Sequence, residues 1–299
     1  MARRPHTGPD GLVVVDKESG WTSHDVVAKS RGLLGTRKVG HAGTLDPDAT
    51  GVLLLGVGKA TKLLRFLSPL GKSYVGVVRF GTETSTLDAA GEVTATHDMT
   101  GLAFDDVVRV AAEQFTGEVW QTPPMVSARK VDGKRLHELA RQGIEVEREA
   151  RPVTISRLDV EPMADDPLAV TLHVTCTSGT YIRTLAADLG TALGGGAHLE
   201  RLRRTSVGPF TLGDAVPLEQ VSAEVVRPMI EAVRHLATVS VDEAVAADVA
   251  FGKVLERDVL AIAAEGEGPW AVVGPDDTLL AVYEPFRGST VKPSLVIPA

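Results

Sequence analysis

Gly40-His41-Ala42-Gly43-Thr44-Leu45-Asp46-Pro47-Asp48-Ala49-Thr50-Gly51 places a carboxylate, Asp46, in a turn bounded by glycine and proline, directly before the apolar run 52–55. Such a turn holds a side chain at a strand edge without giving it a helical or sheet partner. A carboxylate presented this way can serve as nucleophile or base. It can also be an Asx-turn carboxylate that caps its own backbone, and both readings stand at this point. Asp48 lies past Pro47 and reads as a turn residue. Tyr74, in Lys72-Ser73-Tyr74, and Arg183, in Gly179-Thr180-Tyr181-Ile182-Arg183, are further groups able to do chemistry. Taken alone, Tyr74 is a core tyrosine of a strand, Arg183 a surface charge at a helix start, and His41 a turn residue beside glycine.

The elements that must hold these groups follow from apolar spacing. Residues 11–16 read as a short buried strand, and Thr22 or Ser23 can cap a helix over 26–34 that ends near Gly35. Residues 51–57 are apolar, 60–67 have helical spacing, and 73–80 form a strand, with Gly91 in a turn. Helices are expected over 107–115 and 136–142, the second stopped by Gly143. Strands over 152–160 and 169–176 precede a helix over 181–193, which ends at Gly194-Gly195-Gly196. Residues 199–207 then alternate, with Leu199, Leu202 and Val207 set among arginines. Strands and helices interleave without a regular βαβ rhythm, so the expectation is an α+β domain with a mostly antiparallel or mixed sheet. A boundary near Leu236 divides 1–235 from 236–299, where short apolar runs punctuated by Gly and Pro predict a small β-rich module.

The 299 residues are 43% hydrophobic and 23% charged, ordinary values for a folded chain able to bury a full core. A single cysteine, Cys176, excludes an internal disulfide and fits a reducing compartment; its alternating surroundings make it a buried strand thiol. No apolar stretch approaches the roughly 18 residues that span a bilayer, and the first residues lack a signal peptide's apolar segment, so no membrane partner and a cytoplasmic location are expected. The net charge of −8 argues against a nucleic-acid partner. Its distribution weakens that objection, because from Leu236 onward ten acids face four bases, a net of −6, which leaves −2 for the first 235 residues. Bases cluster at Arg129, Lys130, Lys134, Arg135 and Arg141, and again at Arg201, Arg203 and Arg204. They form either local basic faces or ordinary solvated ones.

The segment from Gly40 to Gly51 resembles the GHxGxLDPxATGxL motif of the TruB family of tRNA pseudouridine synthases. Further segments in order extend the resemblance. Asp16-Lys17-Glu18-Ser19-Gly20-Trp21-Thr22-Ser23 resembles DKPxGxTS, with Glu18 where proline is usual, and Lys72-Ser73-Tyr74 resembles K-x-Y. Residues 121–130 resemble QxPPxxSAxK, 139–143 and 148–152 continue that segment, 178–185 match the GTYIR box, and Leu202-Arg203-Arg204-Thr205 follows. The likeness runs from about Gly11 to Ala215, most of the chain.

The resemblance implies a pseudouridine synthase catalytic domain followed by a PUA-like domain, and the isomerisation of uridine 55 in the TΨC loop of tRNA. That reaction breaks the N1 glycosidic bond, turns the base and joins C5 to the same sugar carbon. No redox change occurs, so neither a metal nor another cofactor is called for. It implies that Asp46 attacks the sugar or removes its 2-proton, and that Arg183 pairs with Asp46 through two parallel hydrogen bonds. Burial alone would raise the pKa of Asp46, and the apposed cation counters that. Tyr74 would stack on the base and take the C5 proton. The uridine must leave the folded T arm, with His41 filling its place. Leu202 would pack on the uracil pocket, and Tyr181 and Lys17 would also bind substrate. Residues 121–151 would form a thumb whose Arg129, Lys130 and Arg141 meet phosphates. An acidic C-terminal module departs from a basic RNA clamp. A monomer with no obligatory protein partner is expected. Three rivals are a guide-RNA-dependent synthase of the dyskerin type, an RNA-binding or folding protein, and an Asp-dependent hydrolase. The thumb and the lack of long basic tails favour the stand-alone enzyme, and the Asp46, Tyr74, Arg183 set favours an active one.

Overall fold

The computed structural model describes residues 8–125, 144 and 146–298, with the backbone alone at 130–131 and 134–135. The expected helix over 136–142 and the side chains of Arg129, Lys130 and Arg141 lie outside the described residues. Strand β1 (Gly11–Lys17) leads to helix α1 (Ser23–Leu33), which Thr22 caps: its hydroxyl accepts from the Asp25 N–H, and the Asp25 carboxylate accepts from the Thr22 N–H. Strands β2 (Val39–Ala42) and β3 (Thr50–Val57) flank the Asp46 turn. Where one helix was expected over 60–67, a 3-10 segment (Gly58–Lys62) precedes the short α2 (Leu64–Leu67). Buried Ala60 and Leu63 are three apart and suit the tighter turn, whereas Leu63 and Leu67 are four apart and suit the α turn.

Next come β4 (Lys72–Phe80), a hairpin of β5 (Thr82–Thr84) and β6 (Val93–Thr96), helix α3 (Phe104–Gln114) and β7 (Gly117–Gln121). A two-residue hairpin, β8 (Lys130–Val131) with β9 (Lys134–Arg135), precedes β10 (Arg151–Pro162) and β11 (Ala169–Cys176). Helix α4 (Ile182–Ala192), β12 (Ala197–Val207), β13 (Phe210–Thr211) and β14 (Val216–Pro217) complete the larger unit. Ten strands form one mixed sheet, in the order β14-β1-β3-β12-β4-β11-β10-β7, with β13 beside β12 and β2 beside β3. The β1–β14 and β3–β12 pairs are parallel and the others antiparallel, which is the α+β arrangement expected.

β3 reads as an unbroken apolar run because both its faces are covered. Val52 and Leu54 enter one core cluster, and Leu53, Leu55 and Val57 enter another on the opposite face. β4 instead alternates, so that Lys72, Tyr74, Val78 and Phe80 share a buried face. That face packs with α4 residues Ile182, Leu185 and Leu189 in a third cluster.

Beyond Leu236, β15 (Ala237–Ser240), helix α5 (Glu243–Ala250), β16 (Leu255–Glu256), β17 (Trp270–Val273), β18 (Leu279–Pro285) and β19 (Thr290–Val296) build a second sheet, ordered β15-β17-β18-β19-β16. The module is β-rich, as expected of a PUA-like domain. Its core is not wholly its own. Ala271, Leu279, Val282 and Ile297 pack in one cluster with Leu12, Val14, Val52 and Leu54 of the first sheet. Lys59 Nζ also donates to the Pro298 carbonyl at 2.8 Å.

Candidate active site

The Asp46 turn is held from three sides by residues distant in sequence. Ser23 at the start of α1 accepts from the Leu45 N–H at 2.9 Å and donates to the Leu45 carbonyl at 3.1 Å. Lys17 at the end of β1 donates to the carbonyls of Glu18, Trp21 and Pro47, and the Gly20 N–H reaches the Pro47 carbonyl at 3.0 Å. Arg204 on β12 donates to the carbonyls of Val52, Gly43 and Thr44. Gly51 has φ +102°, and a Cβ there would stand 2.1 Å from the Arg204 carbonyl oxygen. The parallel β3–β12 contact, which pairs Gly51 with Arg204, therefore requires glycine at that motif position.

On this support Asp46 Oδ2 forms an ion pair with Arg183 Nε at 3.0 Å. Arg183 sits in the first turn of α4, and its side chain is only 6% exposed. A bidentate grip on Asp46 was expected. Instead the fork serves two carboxylates: Nη1 lies 3.4 Å from Asp88 Oδ2 and donates to the Thr86 carbonyl at 3.0 Å. The second carboxylate is the principal residue the sequence reading missed. Asp88 carries no motif signal; it is fixed by Thr86, whose hydroxyl donates to its Oδ1 at 2.5 Å, and by the Ala90 N–H at 3.1 Å. Leu87, between them, adopts φ +63°, unusual for a branched apolar residue, and its segment is pinned to β12 through Leu199. A bulky non-glycine residue at positive φ beside the candidate site was not legible from composition.

Asp46, Arg183 and Leu202 line two cavities at once. One, of about 450 Å³, is also lined by Ser19, Asp48, Asp88, Glu200 and Arg201. The other, of about 240 Å³, is also lined by Lys72, Tyr74, Tyr181 and Arg204. The Asp46–Arg183 pair stands on the wall between them. Four acids and two bases face the first cavity, and one acid and three bases face the second. Although the Asp46 side chain is 43% exposed, the protein crowded around it raises its pKa above the ordinary carboxylate value. Arg183 opposes that rise and Asp88 adds to it, so the expected compensation by the cation is incomplete. Tyr74 is buried, and loss of water raises its pKa against the pull of Arg204, which leaves it a neutral phenol at ordinary pH.

The structure brings Asp46, Tyr74, Arg183, Tyr181 and Leu202 together around one cavity. Tyr181 is the N-cap residue of α4, and the Gln121 side chain holds both its backbone N–H and its carbonyl. His41 on β2 lines neither cavity. It lies edge-on to His24 with ring centroids 5.6 Å apart, and burial lowers its pKa to about 4. One expectation is corrected and one open alternative is closed. Lys17 was read as a substrate contact, but it is fully buried and its three ammonium donors are taken by carbonyls, so it supports the Asp46 turn from beneath. The Arg201, Arg203, Arg204 group is not a basic face: Arg204 is 1% exposed and Arg203 Nη2 is bound to Asp16 Oδ2 at 2.6 Å. For Lys17 and Arg204 the cause is the same: a charge in a sequence carries no sign of the backbone carbonyls that will hold it.

Known proteins resemble this chain over most of its length. Residues 31–182 match the model of the TruB family pseudouridylate synthase N-terminal domain. Residues 183–239 match that of the tRNA pseudouridylate synthase B C-terminal domain. A protein named tRNA pseudouridine synthase B from Arthrobacter sp. (strain FB24) is 47% identical, covering 96% of each chain. Its namesake from Streptomyces griseus subsp. griseus is 49% identical, covering 94% of this chain and 95% of the relative. Among solved structures, a Cbf5-Nop10-Gar1 complex contains a chain 28% identical with TM-score 0.75, covering 96% of this chain and 85% of that one. With the family model spanning over half its length and these relatives nearly all of it, the chain belongs to the TruB family of pseudouridine synthases.

Proposed function

We propose that this chain isomerises uridine to pseudouridine in tRNA, at position 55 of the TΨC loop, with Asp46 as nucleophile or base on a flipped-out nucleotide. The observation that carries the reading is the Asp46–Arg183 pair at the wall of a cavity that Tyr74, Tyr181 and Leu202 also line. A cavity of about 240 Å³ suits one planar base. A carboxylate at its rim, with its pKa raised, is poised to attack the sugar or remove its 2-proton. Tyr74 stacks on the base; as a neutral phenol it takes the proton released at C5 only by passing its own hydroxyl proton on, which makes it a relay. Leu202 packs on the ring, and His41 fills the gap the nucleotide leaves. Arg129, Lys130 and Arg141 hold T-arm phosphates. The proposal extends to a cytoplasmic, monomeric enzyme that needs no cofactor. Relatives named tRNA pseudouridine synthase B, at 47–49% identity over almost the whole chain, support a stand-alone enzyme over a guide-RNA-dependent one.

The test is incubation of purified protein with an unmodified T-arm hairpin, scored for pseudouridine. The wild type should convert the uridine. Asp46→Asn should bind the hairpin and leave it unchanged, since an amide has neither the charge nor comparable nucleophilicity. Asp48→Asn, at an exposed turn position, should act almost as wild type. Substantial turnover by Asp46→Asn would remove Asp46 from the chemistry.

A further inference from the structure

We propose that Lys72 is a catalytic residue that donates a hydrogen bond from its ammonium to a carbonyl oxygen of the uracil and steadies the base as an anion once the glycosidic bond has broken. The inference rests on the function proposed above. When N1 parts from C1′, the bonding electron pair stays with the base and spreads over N1, O2 and O4. The charge is discharged when C5 bonds to C1′, the C5 proton leaves and N1 takes up a proton. Between those events the site holds a uracil anion, and donors fixed in advance around it lower the barrier.

Four observations point to Lys72. It is two residues from Tyr74 on β4, so both side chains lie on one face of the strand, and both line the 240 Å³ cavity with Asp46. Its side chain is buried, and its Nζ donates to the carbonyls of Ser68 at 3.1 Å and Leu70 at 2.7 Å. An ammonium has three N–H donors, so those two bonds fix its position and leave one donor for the cavity. The other cations at the cavity are each held by three protein groups: Arg183 by Asp46, Asp88 and Thr86, and Arg204 by three backbone carbonyls. Finally, Gly43 leaves the lysine room. Its φ is +79°, and a Cβ there would sit 3.3 Å from Lys72 Cε and 3.4 Å from Arg204 Nη1. Burial and the nearby Arg204 lower the Lys72 pKa to about 8, so the ammonium form still predominates at neutral pH.

The experiment compares wild type and Lys72→Met in single turnovers on T-arm hairpins whose target is uridine, 2-thiouridine or 4-thiouridine. Sulfur accepts a hydrogen bond more weakly than oxygen. Wild-type conversion of the uridine hairpin is scored first; its absence overturns the proposed function itself, apart from any role of Lys72. With conversion seen, Lys72→Met should slow uridine turnover by roughly a hundred-fold at saturating RNA, with hairpin affinity nearly unchanged. The ratio of wild type to variant should shrink to roughly ten-fold or less for the thio substrate whose replaced oxygen Lys72 contacts. A variant with near-normal turnover on uridine overturns the proposal. So does a large defect equal on all three substrates, which is the mark of a merely structural lysine. Should Lys72→Met fail to fold, a structure of the wild-type protein with the hairpin bound decides. Nζ within about 3.5 Å of O2 or O4 upholds the proposal, and a longer separation from both overturns it.

Discussion

Replacing Arg183 by lysine separates what the charge does from what the fork does. Arg183 holds Asp46 through Nε at 3.0 Å and reaches Asp88 at 3.4 Å and the Thr86 carbonyl at 3.0 Å through Nη1. A lysine brings the same charge on a single nitrogen, which cannot meet groups on two sides of a planar fork. Arg183→Lys therefore keeps one carboxylate contact and loses the other, together with the carbonyl bond. A hydrogen bond to a charged group contributes about 1.5–3 kcal/mol. The low end applies, because the Asp46 side chain is 43% exposed and that of Asp88 23%. One such bond plus about 1 kcal/mol for the carbonyl gives about 2.5 kcal/mol, or close to a hundred-fold at 1.36 kcal/mol per factor of ten. The loss should fall on kcat at saturating T-arm hairpin, measured by release of tritium from C5-labelled uridine, while RNA affinity stays near wild type. Asp88→Asn should give a defect in the same direction, because it removes the second anchor of the fork. If Arg183→Lys turns over within about three-fold of wild type, less than 1 kcal/mol separates fork from point charge and the argument from shared geometry fails.

Two further outcomes follow from the same structure. In the proposed reaction Asp46 acts ionised, and a raised pKa means that activity is lost at a higher pH than for an ordinary carboxylate, so the acid limb of kcat/KM should lie above about pH 3.9. Taking away the cation with Arg183→Met should move that limb up, and taking away the neighbouring negative charge with Asp88→Asn should move it down; shifts of one sign in both would refute the assignment of the limb to Asp46. Ending the chain after Leu236 should unfold the protein, because Leu279, Val282 and Ile297 leave a shared core, at about 1.5–3 kcal/mol each against a total stability of about 5–15 kcal/mol. A truncated chain melting within about 5 °C of full length would contradict this. RNA contacts are better probed by neutralising two of Arg129, Lys130 and Arg141, which should flatten the salt dependence of hairpin binding by roughly one to two logarithmic units.

What the amino-acid sequence determined by itself is local. The Asp46 turn, the strand over Ala169–Cys176, the capped start of α1 and the helix that begins beside Arg183 could all be read from residue type and spacing, because each depends on neighbours within a few positions. A boundary near Leu236 was an expectation, and β15 begins at Ala237, but the apolar cluster that joins the two sides had no sign in the sequence. The tertiary structure decided which charges meet. Sheet pairing sets Arg204 opposite Tyr74 and beside the parallel β3, where it finds carbonyls, and irregularities in β12 at Leu199–Arg201 and Arg204–Ser206 shift the register. Because of the first shift Leu199 and Leu202, three apart and on opposite faces of a regular strand, both pack into the cluster that holds Tyr74. Asp88 reaches Arg183 only through the Thr86–Leu87 turn pinned to β12, and Lys17 reaches Pro47 across 30 residues of chain. A sequence records that a lysine, an arginine or an aspartate is present, whereas its partner is chosen by strand register, and register is settled by the packing of the whole sheet.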